Sequence, residues 1–226
     1  MATVLFLQRD SYEVFGVMYL SASILQKRHR AEVLIEAEDG RNFFHRIEEI
    51  KPDVIAFSIM SGLHDWAAKT AREVKQRFNY HIIAGGPHCT FFPEFIEMEG
   101  IDAICRGDGE DALSEYLTAL DKGNDLAKIA GWWVKTDGGI IKNDVYPLRT
   151  DLDTIPYPDR DIYRRRYQSL NSQSCCEVLV ARGCPYNCSF CHNQLLKDLY
   201  DGKGRYIRRH TIQRVIDEIM DLKQRY

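Results

Sequence analysis

The segment Val54-Ile55-Ala56-Phe57-Ser58 decides the fold, because it is apolar almost throughout and follows the helix-ending residue Pro52. An apolar run without alternation is typical of a strand that is covered on both faces. Strands of this kind occur in parallel sheets that carry helices on each side. The segment therefore predicts a strand of an α/β domain.

Strand and helix patterns alternate on both sides of this segment, from the N-terminus to residue 130. Apolar residues at helical spacing, such as Val14, Val17 and Met18, indicate helices between the strands. Five βα units with short connections specify an α/β fold with a five-stranded, doubly wound parallel sheet. The predicted strands are residues 4–7, 33–35, 54–58, 81–84 and 102–105.

The loops at the carboxyl ends of these strands form the predicted ligand-binding edge, because doubly wound sheets bind ligands there. The pair Gly85-Gly86 lets the backbone approach a bulky ligand closely, although glycines after a strand also make turns without any ligand. No G-x-G-x-x-G motif follows the first strand, which argues against a dinucleotide site. The loops concerned are residues 9–16, 59–64, 85–90 and 106–110.

A second domain is predicted after the βα units. Residues 131–141 place an Asp-Gly-Gly turn between two apolar arms, which indicates a hairpin. The polar, proline-spaced stretch at 151–160 is typical of an extended linker. We therefore expect domains at 1–145 and 174–226, joined by a linker at 146–173. The last predicted element is an amphipathic helix marked by Ile212, Val215, Ile216, Ile219 and Met220.

Composition indicates a soluble globular protein, with 45% hydrophobic and 28% charged residues and a net charge of -3. No segment approaches the roughly 18 consecutive apolar residues of a membrane span, and the N-terminus lacks a signal peptide. Seven cysteines without a secretion signal favour a reducing cytoplasm and a metal or redox role. The basic runs at 164–166 and 205–209 are short, so nucleic-acid binding is not expected.

Three of the cysteines fall in one loop with the spacing Cys184-x3-Cys188-x2-Cys191, after a predicted strand at 177–180. A short loop delivers several thiolates to one metal or cluster at little entropic cost. Three thiolates on a cubane cluster leave one iron open for another ligand. The adjacent His192 leaves zinc as an alternative, and packing as small apolar side chains is another. The neighbouring pair Cys175 and Cys176 is predicted to be structural.

The cysteine spacing, with Phe190 before the last cysteine, resembles the radical S-adenosylmethionine (SAM) superfamily. The α/β domain, the turn Gly85-Gly86-Pro87-His88, the segment 107–110 and the linker motif at 156–159 resemble the cobalamin-binding domain of cobalamin-dependent radical SAM enzymes. The resemblance implies a flavodoxin-like cobalamin-binding domain. The first part of a truncated radical SAM (β/α) partial barrel would follow it.

The same resemblance implies a role for each motif. Cys184, Cys188 and Cys191 would hold a 4Fe–4S cluster whose open iron chelates SAM, and Phe190 would lie beside the adenine. An electron from the cluster would cleave SAM reductively and produce a radical that abstracts hydrogen from the substrate. No catalytic side chain is assigned. The residues expected to contact cobalamin are Ser58, Gly85, Gly86, Gly107 and Glu110.

The implied activity is methyl transfer to an unactivated carbon of a small-molecule substrate. Oxidative cyclisation by the same radical chemistry is an alternative, and so is a non-catalytic cobalamin- or metal-binding module. A reductant protein such as flavodoxin or ferredoxin would supply the electron.

Two features depart from the family pattern. Many cobalamin domains carry D-x-H-x-x-G after the first strand, where this chain has Ser11-Tyr12-Glu13-Val14-Phe15-Gly16 without a histidine. The absence fits cobalamin bound without a protein ligand, and it also fits a domain that has lost cobalamin. In addition, few residues follow position 177, so we expect the barrel to be incomplete and the chain to be a fragment.

Overall fold

The structure, a computed structural model, describes residues 1–172 and 176–226. It contains two compact units, one made of Met1–Tyr146 with Pro158–Leu170 and the other of Pro147–Tyr157 with Asn171–Tyr226. The predicted linker is thus divided between the units, and the domain boundaries inferred from the sequence stay a prediction. Cys175, predicted to be structural, lies outside the described residues.

The first unit is built on one mixed sheet with the strand order β2-β1-β3-β4-β5-β6-β7. The first five strands in this order pair in parallel, and the last two form a hairpin that continues the sheet in antiparallel pairing. The α/β fold with a five-stranded, doubly wound parallel sheet is confirmed. The strands are β1 (Thr3–Gln8), β2 (Arg30–Ile35), β3 (Val54–Ser58), β4 (His81–Gly85), β5 (Ala103–Cys105), β6 (Trp132–Thr136) and β7 (Gly139–Lys142).

Helices cover both faces of this sheet. A 3-10 turn at Pro93–Glu97 also lies in this unit. Within the described ranges, no helix of either unit is long and apolar enough to cross a membrane. The α-helices of the first unit are α1 (Phe15–Gln26), α2 (Glu36–Asp39), α3 (Phe43–Ile50), α4 (His64–Phe78), α5 (Pro87–Phe91), α6 (Glu110–Lys122) and α7 (Asp161–Arg164).

Alternation along each strand divides the core into two clusters. In β1, Val4 and Phe6 join one cluster with α1 and α6, whereas Leu5 and Leu7 join the other with α3 and α4. Successive side chains of a strand point to opposite faces, so a strand that is apolar throughout supplies both clusters at once. The apolar run of β3 is explained in this way.

Residues 158–170 return to the first unit and are held by buried polar contacts. Ser21 Oγ donates to Asp159 Oδ2 at 2.6 Å, and the Tyr163 hydroxyl donates to Gln8 Oε1 at 2.8 Å. The Tyr167 hydroxyl donates to Asp39 Oδ2 at 2.5 Å. This part of the predicted linker is therefore an integral piece of the α/β unit.

The second unit is small and contains the cysteine loop. Strands β8 (Ala181–Arg182) and β9 (Arg208–Arg209) pair in antiparallel fashion, and α8 (Asn193–Leu199) and α9 (Ile212–Arg225) accompany them. The prediction of a strand at 177–180 is wrong, because strand structure begins at Ala181, where the chain pairs with β9. The amphipathic helix predicted near the end of the chain is confirmed as α9, although Ile212, Ile216, Ile219 and Met220 are exposed.

Glu13 connects the loop after β1 to residues 158–170. Its carboxylate lies 2.7 Å from Arg164 Nε and 3.7 Å from Arg160 Nη1, and all three side chains are less than 10% exposed. Removing one partner of a buried ion pair leaves charge in a poorly solvated place. We expect Glu13→Ala to lower the free energy of unfolding by about 3 kcal/mol, measured by urea denaturation.

A matched control for Glu13→Ala is Glu99→Ala, which removes an exposed ion pair with Arg72. Exposed pairs contribute about 0–1 kcal/mol, so this variant should unfold close to the parent. Equal midpoints for the two variants would show that the Glu13 contacts do not stabilise the unit.

Candidate functional site

The predicted ligand-binding edge lies where β3, β4 and β5 end. Ser58 is the register partner of Gly85 in the parallel pairing of β3 with β4. A Cβ atom on Gly16, in the first turn of α1, would lie 3.9 Å from Ser58 Oγ. A Cβ atom on Gly85 would lie 3.6 Å from the Cβ of Cys105. Two of the five predicted cobalamin contacts, Ser58 and Gly85, are therefore side by side at this edge.

Gly86 has a structural role that the sequence did not reveal. Its φ angle is +91°, and a Cβ atom would lie only 2.8 Å from the backbone nitrogen of Ile59 and 2.9 Å from its carbonyl oxygen. The Ile59 N–H donates to the Gly85 carbonyl, and the His88 N–H donates to the Ile59 carbonyl, each at 2.9 Å. Close approach of the protein's own backbone therefore accounts for this glycine without any ligand.

Thr90 joins two loops of the edge. Its hydroxyl donates to the Gly86 carbonyl at 3.0 Å and accepts the Gly107 N–H at 3.0 Å. Gly107, with φ at +81°, is thus held beside the loop after β4. Sequence reasoning did not find Thr90. The available signal was a threonine four residues after Gly86, the spacing at which a helical threonine hydroxyl reaches the carbonyl of the preceding turn.

The floor of this edge is an uncharged thiol beside acidic groups. Burial, together with the negative charges of Glu110 and Asp108, raises the pKa of Cys105 to about 12. Glu110, the fifth predicted cobalamin contact, is itself buried in the first turn of α6. A Cβ atom on Gly109 would lie 3.1 Å from Leu20 Cδ2 and 4.0 Å from Cys105 Sγ. Glycine at this position therefore leaves the space beside Leu20 and the thiol free of a side chain.

Three stacked rings border the same edge. His64 and His88 stack with centroids 4.5 Å apart, and Phe92 also stacks with His88 at 5.2 Å. Burial lowers the pKa of His88, and the charge of His64 lowers it further. A neutral His88 is favoured, and the stack offers a flat surface. The sequence gives no pattern that would have predicted this stack.

Glu13 occupies the position at which the D-x-H-x-x-G motif has its histidine. Its carboxylate pairs with Arg160 and Arg164, as described above. The carboxylate oxygens are thus engaged in ion pairs within the protein.

The cysteine loop presents three free thiols. Cys188 is exposed, whereas Cys184 and Cys191 are half-buried, and none forms a disulfide. The Cys191 N–H donates to the Cys188 carbonyl at 3.1 Å. Within the described part of the chain, the structure gathers no group of three or more Cys, His, Asp or Glu side chains suited to a metal ion. The donor set, three accessible thiols on one loop, nevertheless fits an iron–sulfur cluster chemically.

Two residues outside the motif hold the cysteine loop in place. Gly183 has φ at +85°, and a Cβ atom there would overlap the Tyr206 carbonyl oxygen. Lys197 Nζ donates to the Tyr186 carbonyl at 2.9 Å and also to Asn187 Oδ1. Gly183 therefore allows the backbone at the start of the loop to pass close to Tyr206, and Lys197 holds the middle of the loop through its hydrogen bonds.

An open groove of about 870 Å³ lies beside this loop. Gly183 and Pro185 line it from the loop, and Ile212 and Ile216 line it from α9. Its size suits a small molecule. Phe190, predicted to lie beside an adenine, is 92% exposed and is not among the residues that line the groove.

Part of the first unit matches a known family model. The family model described as "B12 binding domain" matches residues 9–117. A Pyrococcus horikoshii protein named "Uncharacterized methyltransferase PH0819" is 32% identical over 219 residues, which cover 93% of this chain and 46% of that protein. The anaerobic magnesium-protoporphyrin IX monomethyl ester cyclase of Rubrivivax gelatinosus is 33% identical over 159 residues, covering 65% and 28%.

A solved structure matches the fold of nearly the whole chain. The cobalamin-dependent SAM radical enzyme OxsB, with aqua-cobalamin and SAM bound, superposes with a TM-score of 0.78 at 19% identity. The match covers 99% of this chain and 32% of that one. The chain spans less than half the length of the curated relatives described above.

The two adjacent glycines after β4 should respond differently to substitution. Gly86→Ala forces a Cβ atom onto the Ile59 backbone at positive φ, so we expect a loss of about 2 kcal/mol or more in unfolding free energy. Gly85→Ala makes only ordinary contact with Cys105, so its unfolding free energy should stay within about 1 kcal/mol of the parent.

Urea denaturation of both variants checks this order, and the opposite order would contradict it. Because we expect Gly85→Ala to keep the fold, the affinity of this variant for cobalamin tests the predicted contact between Gly85 and cobalamin without interference from unfolding.

The cysteine loop should depend on Gly183 in the same way. Gly202 is a matched control in the same unit, because it has φ at +70° and open space where a Cβ would stand. Gly202→Ala should cost about 1–2 kcal/mol from backbone strain alone, and Gly183→Ala should cost clearly more. Thermal unfolding measures the loss of stability, and iron uptake on reconstitution measures whether the cysteine loop can still bind iron. Equal losses of stability in the two variants would show that the close approach of Gly183 to the Tyr206 carbonyl does not require glycine.

Proposed function

We propose a function for this chain from one premise, which is that the chain belongs to the cobalamin-dependent radical SAM family. It binds cobalamin at the carboxyl edge of its sheet and a 4Fe–4S cluster at its cysteine loop. With SAM as the second substrate, it serves methyl transfer to a carbon atom of a small molecule. This activity is proposed for the whole protein to which these units contribute.

One observation carries the proposal. Cys184, Cys188 and Cys191 are free thiols on a single loop that follows β8. The chain that presents them also contains an α/β unit that matches the B12-binding family model. A zinc site or a structural role for the cysteines would leave the association of these two features unexplained.

The chain's own residues would hold and shield the cofactors. Cys184, Cys188 and Cys191 would ligate three irons of the cluster, and Gly183 and Lys197 would keep the loop in position. When bound, the cluster supplies the electron for reductive cleavage of SAM, and cobalamin supplies the methyl carrier. Phe190, exposed beside Cys191, is available to cover an adenine ring.

Cobalamin would rest on the edge formed by the ends of β3, β4 and β5. Ser58 and Gly85 would contact it directly, and Gly107 and Glu110 would close its other side. Gly86 would act through the loop shape that its crossing with Ile59 imposes. Support for cobalamin binding comes from the match of residues 9–117 to the B12-binding family and from the aqua-cobalamin bound in OxsB.

Radical cyclisation is the second candidate, and one comparison favours it. The cyclase of Rubrivivax gelatinosus is 33% identical to this chain over 159 residues, and the methyltransferase from Pyrococcus horikoshii is 32% identical over 219 residues. Both reactions would use the same cysteine loop. Substrate assays on the whole protein distinguish them, because cyclisation forms a ring without adding a methyl group.

The proposed chemistry needs a one-electron donor, for which flavodoxin or ferredoxin is suited. The loop is accessible to such a protein, since Tyr186, Cys188 and Phe190 are all exposed. The free cysteines of the described residues fit a reducing compartment such as the cytoplasm.

Reconstitution with iron and sulfide under anaerobic conditions tests the cluster. The parent chain should gain visible absorption and about four irons per chain, the content of a 4Fe–4S cluster. Replacing Cys184, Cys188 or Cys191 by alanine should abolish both. Iron analysis and absorption spectra provide the measurement.

Cys89→Ala is the matched control, because Cys89 is fully buried in α5 and its pKa is raised by burial. This variant should load like the parent. A colourless parent protein with one zinc per chain would refute the cluster. Loss of absorption in Cys89→Ala alone would refute the proposed ligand set.

A further inference from the structure

Asn193 lies two residues after the last cysteine of the motif and contacts its sulfur. The side-chain nitrogen Nδ2 donates to Cys191 Sγ at 3.3 Å, a hydrogen-bond distance for a sulfur acceptor. Among the described residues, no other side chain forms a hydrogen bond to the sulfur of Cys184, Cys188 or Cys191. Cys191 is half-buried, so water does not fully replace this donor.

Tyr206 orients the amide of Asn193. The Tyr206 hydroxyl donates to Asn193 Oδ1 at 2.9 Å, which turns Nδ2 toward the sulfur. The backbone of Tyr206 is held in turn, because Gly183 packs against its carbonyl at the start of the loop. The hydrogen-bond chain from Tyr206 through Asn193 to Cys191 therefore has a fixed outer end.

A hydrogen bond to a cluster-ligating sulfur changes the redox properties of the cluster. Reduction adds negative charge, which spreads onto the thiolate sulfurs, and an N–H donor stabilises that charge. Hydrogen bonds to the sulfurs are among the factors that set cluster potentials, and outer residues that orient the ligands tune them further.

We propose that Asn193 is a positioning residue that raises the reduction potential of the cluster by donating a hydrogen bond to Cys191 Sγ, and that Tyr206 orients it. This inference rests on the proposed function, because it requires a cluster on Cys184, Cys188 and Cys191. It assigns a role to two residues that lie outside the cysteine motif.

Midpoint potentials of reconstituted variants test the proposal. Asn193→Leu keeps the approximate shape of the side chain and removes the donor, so its midpoint should shift to a more negative potential than that of the parent. Tyr206→Phe keeps the amide but frees its orientation, so it should shift in the same direction by a smaller amount. The measurement is an anaerobic redox titration that follows the EPR signal of the reduced cluster, after iron and sulfide content has been determined.

Gln194→Leu is the matched control. Gln194 is the next amide side chain on α8, but its Nε2 donates to Asp198 Oδ1 at 2.9 Å. Its contact with Cys191 is made by the backbone N–H, which donates to the Cys191 carbonyl at 3.5 Å and is kept in the variant. Its midpoint should equal that of the parent. If Asn193→Leu takes up less iron than the parent, its midpoint potential cannot be compared with that of the parent. The midpoint potential of Tyr206→Phe then tests the proposal in its place.

The outcomes separate this inference from the proposed function. A fully loaded Asn193→Leu or Tyr206→Phe protein with the parent's midpoint would overturn the role of Asn193 and leave the cluster proposal intact. A parent chain that takes up no cluster would overturn both.

Discussion

Parallel pairing of β3 with β1 and β4 is the constraint on which the first unit depends. Because all three strands run in the same direction, their carboxyl ends meet at one edge, and Ser58 falls beside Gly85. The strands are buried on both faces, so helices must cover each side and return the chain to the opposite edge. The loops that remain at the carboxyl edge are therefore brought together by topology, whatever ligand they bind.

The regular part of this unit was predictable because its signals are local. Apolar runs and helical spacing identify β3 or α1 from a few neighbouring residues. The return of residues 158–170 was not predictable, because its contacts join distant positions such as Tyr163 and Gln8. A polar segment with several prolines has the composition of a linker. Nothing local shows that its aromatic and charged side chains are buried against another part of the chain.

The same distinction applies to the sites. The spacing of the three cysteines indicates a metal or cluster site without a structure, because few other roles require it. The glycines are less informative, since Gly85 and Gly86 are neighbours with different surroundings. One faces Cys105 at ordinary contact distance, and the other accommodates the Ile59 backbone. Asn193 carries no sequence signal and Thr90 only its spacing from Gly86, because a single polar side chain acquires its role from what folding places beside it.

The two candidate sites differ in how much of their geometry the protein supplies in advance. At the carboxyl edge, backbone crossings such as Gly86 on Ile59 fix the loops, and the groups beneath them are buried. At the cysteine loop, Gly183, Lys197 and Asn193 hold the periphery while the thiols stay accessible and ungathered within the described residues. In the proposed function, ligation of a cluster would gather them, and the free energy of metal binding would contribute, as in sites where ligation and folding are coupled. Residues around the loop would then influence the proposed cluster without touching iron.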